Sequence, residues 1–164
     1  MQNEQQEILK RLEHAFDLDQ NAIKEFKKGA IKLDDLKKIQ RNNLNYIQNI
    51  LDKGFFPFKD LTSDKAYKSF FLTIQHSDSI ELMERTAGII QKAQAHQVDK
   101  PDYAFLIDRI RVFEGKPQLY GTQFRKKDGI TSFFDIEDGS KMDSRRAELG
   151  MEPFEEYKKK IEKY

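Results

Sequence analysis

From about residue 4 to residue 96 the chain repeats one pattern: apolar side chains three or four positions apart, broken by Gly29, by Gly54 and by polar turns. A stripe of that period lies on one side of the backbone only when the backbone is helical, so the spacing commits the first half of the chain to a helical fold. The first stripe, over 4–28, carries Ile8, Leu12, Ala15, Phe16, Ile23 and Phe26 and ends at Gly29. The second, over 34–53, carries Leu36, Ile39, Leu44, Ile47, Ile50 and Leu51, opens with Asp34 and Asp35 where a helix N-terminus favours negative charge, and stops at Gly54. Phe55, Phe56 and Phe58 around Pro57 are too aromatic for a solvated loop and are expected to plug the core. Thr62 or Ser63 then caps a third helix with Ala66, Tyr67, Phe70, Phe71 and Ile74 inward, and a fourth covers 79–96 through Ile80, Met83, Ala87 and Ile90.

Two polar intrusions stand out in this half. Asp19 sits on the apolar stripe of the first helix, where a carboxylate needs a partner, so it either anchors the helix or belongs to a site. Gln75-His76-Ser77-Asp78 closes the third helix, with His76 a candidate general base or metal ligand, or a favourable dipole partner at the helix end. Asp78, three residues before Glu81, reads as a helix cap.

The second half is organised around Tyr103–Gln123, where Asp108, Arg109, Arg111, Gln118, Tyr120, Thr122 and Gln123 stand among apolar residues on either side of Glu114-Gly115-Lys116. Read as a hairpin, this stretch places Arg109 and Arg111 on one face of one strand, and Gln118, Tyr120 and Thr122 on one face of the next, 117–123. Guanidinium forks match carboxylate and phosphate oxygens, which makes an anion their natural partner. Gly121 between Tyr120 and Thr122 predicts a bulge or a close backbone approach. After an exposed Arg125–Gly129 turn, Ile130–Ile136 reads as a third strand, Asp143 as the cap of a short helix holding Arg145 and Arg146, and Pro153 as the first turn of a last helix. The expected fold is therefore mainly α: one domain over 1–164, four to five longer helices and a small antiparallel sheet at about 110–136, inserted as a hairpin.

Composition narrows the function classes. With 29 basic and 28 acidic side chains the net charge is +1, which argues against a nucleic-acid binder working by bulk attraction. The absence of Cys removes disulfides, thiolate metal sites and a thiol nucleophile. No apolar run approaches a membrane span and the N-terminus lacks the apolar core of a signal peptide, so a cytoplasmic location is expected, with no membrane partner. His14, His76 and His96 form no local metal motif, and neither a nucleophile elbow, a phosphate-binding glycine loop nor a dinucleotide fingerprint occurs, so neither a metal nor a cofactor is expected.

Four blocks carry a resemblance: Gln75–Asp78, Asp108-Arg109, Gly115–Gln123 and Asp143–Gly150. Together they resemble a bacterial family known only as a domain of unknown function, with Gln-His-Ala-Asp, Asp-Arg-Val, Gly-x-Pro-Gln-x-Tyr-Gly-Thr-Gln and Arg-Arg blocks. The likeness spans about 40–157; Gly54-Phe55-Phe56-Pro57 stands where the family has Gly-Trp-Pro, and Ser77 stands where it has Ala. The resemblance supplies no reaction. It implies that His76, Asp108, Arg109, Gln118, Tyr120, Thr122, Gln123 and Arg145 or Arg146 belong to one recurring set.

Two function classes follow. In the first, an anionic or carbonyl-bearing small molecule is held by Arg109, Arg111, Gln118, Thr122, Gln123, Arg145 and Arg146, while His76 moves a proton with Tyr120 or Asp108 assisting. In the second, the chain is a non-catalytic immunity or regulatory protein that binds a protein partner, and the polar set holds the fold together.

Overall fold

A computed structural model describes residues 2–163. The chain is mainly helical, and the described residues divide into two compact units, one ending at Ser79 and the other starting at Ile80.

The first unit is three mutually packed helices: α1 (Gln2–Lys27), α2 (Leu33–Asp52) and α3 (Asp64–Gln75). The helical periods are where the sequence puts them, within two residues at each end. Asp35 accepts the Lys32 backbone N–H at 3.2 Å and Ser63 Oγ accepts that of Ala66 at 3.2 Å, so α2 and α3 each begin on a side-chain contact at the cap. The core is built from Leu12, Ala15, Ile47, Ile50, Leu51, Phe70 and Ile74, closed by Phe56, whose ring packs against Phe58 at 4.7 Å and Phe70 at 5.1 Å between centroids. The aromatic plug is thus in place. Phe26, expected inward, lies exposed at the last turn of α1, and Ala22 takes the buried position instead.

The second unit holds α4 (Ile80–Lys92), α5 (Pro101–Phe113), β1 (Phe124–Lys127), β2 (Ile130–Phe133), α6 (Met142–Glu148) and α7 (Phe154–Glu162). Its sheet is antiparallel and two-stranded, pairing Phe124 with Phe133 and Lys127 with Ile130 across a turn in which Asp128 and Gly129 both take positive φ, 52° and 78°. The sheet is smaller than the sequence suggests. Residues 117–123 form a loop that touches the chain beyond β2 through an isolated parallel bridge between Gln118 and Ile136 and through the Phe134 N–H donated to the Gln123 carbonyl at 3.2 Å.

The largest correction concerns Arg109 and Arg111, which lie on helix α5 and not on a strand. Apolar residues surround Asp108 on nearly every side of this segment, and a short run of that kind fits a buried helix as well as a strand. Gly115 is the left-handed cap that ends α5, φ 70°, with Lys116 N–H returning to the Arg111 carbonyl at 2.8 Å. Glycine after an apolar run marks a helix end and a hairpin turn alike. Asp143 is also reassigned: it lies in the first turn of α6 but accepts the Phe154 N–H at 2.8 Å, so it caps α7 and not its own helix.

Candidate functional site

The polar residues of Tyr103–Gln123 meet at a single carboxylate. Asp108 is fully buried on α5 and accepts the backbone N–H groups of Leu119 at 2.7 Å, Tyr120 at 3.1 Å and Thr122 at 2.9 Å, and the Thr122 hydroxyl at 2.9 Å. Burial pushes its pKa above the ordinary carboxylate range, while those four hydrogen bonds pull it back. An anion enclosed by a curl of backbone amides is the chain binding its own ligand.

Gln118 performs the complementary task. Also fully buried, its amide nitrogen donates to the carbonyls of Gln123 at 3.0 Å and Phe134 at 2.8 Å, and its amide oxygen accepts from Gln123 N–H at 2.8 Å. Its backbone adds bonds to Asp135 and Glu137, so one glutamine ties the loop at both edges. Thr122 and Gln123 continue the network, the Gln123 amide donating to Thr122 Oγ1 at 3.1 Å.

Arg146 closes the loop from α6. It is 1% exposed, donates from Nε to the Glu152 carbonyl at 2.7 Å and from Nη1 to the Tyr120 carbonyl at 2.6 Å, and lies over the Tyr157 ring at 5.0 Å. Burial pulls its pKa down, though a guanidinium stays protonated in a protein. The other arginines are less enclosed. Arg111 reaches the Pro117 carbonyl at 2.6 Å and pairs with Glu137, Arg145 holds the carbonyls of Glu137 and Asp138 at 2.6 and 3.0 Å, and Arg109 meets the Gln123 amide oxygen at 3.4 Å and the Phe113 ring at 5.3 Å. Tyr120 is half-buried with its ring edge-on to Tyr103, and burial raises its pKa.

Gly121 is the close approach that its neighbours implied. At φ 71° its Cα faces Phe154, and a Cβ there would lie 2.6 Å from the ring and 3.1 Å from the Met142 sulfur.

His76 belongs to the first unit and opens onto a cavity of about 490 Å³ within it. Helix α1 contributes Asp19; α2 contributes Lys37, Gln40, Arg41, Asn43 and Leu44; α3 and the turn after it contribute Leu72, Thr73 and His76 through Ser79. Lys37, Gln40, Arg41 and Leu44 stand at i, i+3, i+4 and i+7, so a single face of α2 lines the wall. The floor is tied by two amides, Gln40 donating to Asp19 Oδ1 at 3.3 Å and Asn43 donating to the Ala15 carbonyl at 3.3 Å. Asp19 thus lines a cavity and also ties α1 to α2 through Gln40, so both roles open to it stay open. Reading the sequence missed the α2 residues, because a polar helix face looks the same whether it meets solvent or a cleft. The signal was the facing anomaly: an acid on the stripe of α1 needs something other than apolar residues opposite it. Among the described residues no group of three or more His, Asp or Glu side chains is placed to hold a metal ion, and no helix is long and apolar enough to cross a membrane.

A helical chain with a polar cavity in one unit and a self-ligated carboxylate in the other is the class that fold and geometry define. The chain belongs to a family of unknown function, DUF6624, whose model matches residues 3–164, well beyond the segment that carries the motif blocks. No curated protein and no solved structure matches it.

Proposed function

We propose that this protein binds a small polar ligand, anionic or carbonyl-bearing, in the cavity of its first unit, and that the polar set of the second unit is scaffold. The support is convergence: Asp19, Arg41, Thr73 and His76, drawn from three helices, line one concave space beside the apolar Leu44 and Leu72. Asp108, Gln118 and Arg146 are enclosed and committed to the chain's own backbone, so a ligand reaching them would first have to displace those bonds. That commitment also favours the second reading, a non-catalytic protein-interaction module, and the same experiment separates the two.

Melting temperature is measured against a panel of phosphate, sulfate, carboxylates and nucleotides. A cavity ligand at tenfold over its Kd adds about 1.4 kcal/mol, or about 3 to 6 °C for a chain of this size. His76→Ala and Arg41→Ala, at exposed positions, should leave the ligand-free melting temperature within about 2 °C and abolish the shift. No shift with any class, or a shift that survives both substitutions, contradicts the proposal and leaves the interaction reading in possession.

A further inference from the structure

We infer that the ligand of the first-unit cavity is two-headed, with an amine- or amidine-type donor at Asp19 and a carboxylate or phosphate at Arg41 and Lys37; this rests on the cavity being the binding site. Four charged side chains line the cavity, Lys37 and Arg41 against Asp19 and Asp78, and their charges cancel. A simple anion entering there meets two carboxylates, and a simple cation meets two bases. A molecule with both charges, spaced to match, meets each with its opposite.

Asp19 is the stronger half of this argument. Its neighbours on the α1 stripe, Leu12, Ala15 and Ala22, are buried, so the position is one that packing would give to an apolar side chain. Among the described residues its hydrogen bonds come only from two neutral amides, Gln40 and Gln20, each at 3.3 Å. Among the described residues it forms no ion pair, although Lys37 and Arg41 share its cavity, and neither of those cations is paired with a carboxylate. A half-buried acid and two exposed bases, held in one cavity without neutralising one another, leave both signs of charge available to a visitor. Leu44 and Leu72 supply apolar wall for the carbon spacer between its two heads.

The test titrates the full-length protein calorimetrically, at constant ionic strength, with O-phosphoethanolamine and with its separate halves, ethanolamine and inorganic phosphate. Joining two heads that fit makes the second contact intramolecular, so the linked probe should bind at least about tenfold tighter than either half. Asp19→Asn should reduce its affinity to that of phosphate alone, and Arg41→Gln, at an exposed position, to that of ethanolamine alone. Phosphate binding as tightly as the linked probe, with Asp19→Asn neutral or beneficial, overturns the two-headed ligand while leaving the cavity as an anion site. If neither the probes nor any member of the anion panel binds, both the inference and the cavity reading fall.

Discussion

Replacing Asp108 by Ala should destabilise the protein by about 4 kcal/mol or more and lower its melting temperature by about 10 °C or more. The carboxylate satisfies the backbone N–H groups of Leu119, Tyr120 and Thr122 as well as the Thr122 hydroxyl, and it is fully buried. Removing it leaves three amides without their acceptor, that of Thr122 buried and those of Leu119 and Tyr120 partly so, and each buried unsatisfied donor costs about 1–3 kcal/mol. Asp108→Asn is the sharper variant because it keeps the shape. Whichever way its amide is turned, an NH2 group faces a backbone N–H, so roughly 2–4 kcal/mol should still be lost. Chemical denaturation checks both variants; a loss below about 1 kcal/mol for Asp108→Ala would show that the loop does not depend on its carboxylate.

Gly121→Ala should cost roughly 2–5 kcal/mol by two separable routes. A side chain at φ 71° carries about 1–2 kcal/mol of left-handed strain, and a Cβ at 2.6 Å from the Phe154 ring adds an overpacking cost of about 1–3 kcal/mol. Only the second route depends on Phe154. In a double-mutant cycle Phe154→Leu should therefore recover about 1 kcal/mol of the Gly121→Ala loss while the strain persists. Strict additivity of the two substitutions would mean that the backbone moves away from the ring at little cost.

These two residues also mark where the sequence was legible and where it was not. The three long helices of the first unit, the aromatic plug at Phe56 and the mainly helical class with a small antiparallel sheet all follow from apolar period and from the capping chemistry of Ser63, Gly29 and Gly54. Gly121 gave away its close contact because a glycine between Tyr120 and Thr122 has few other uses. Segment α5 did not declare itself, since Tyr103–Phe113 is apolar on almost every side and period fails when no face is polar. The meaning of Asp108 was hidden for a related reason. Its partners are backbone N–H groups, which every sequence contains and none displays, so the sequence does not show that a loop hangs on this carboxylate. Asp19 called for an explanation as an acid on an apolar stripe, and its place on a cavity wall, hydrogen-bonded to Gln40 of α2, is what the sequence could not display.

The division of labour between the two units is tested most directly by mapping backbone amide chemical shifts while the protein is titrated with inorganic phosphate and with O-phosphoethanolamine. If the cavity binds and the carboxylate hub is scaffold, the perturbed amides will cluster at residues 37–44 and 72–79 and around Asp19, while those of 118–123 and 145–146 stay unmoved. Perturbations centred on Gln118, Tyr120, Gln123 and Arg145, with the amides around His76 silent, would contradict the account and return the binding site to the loop.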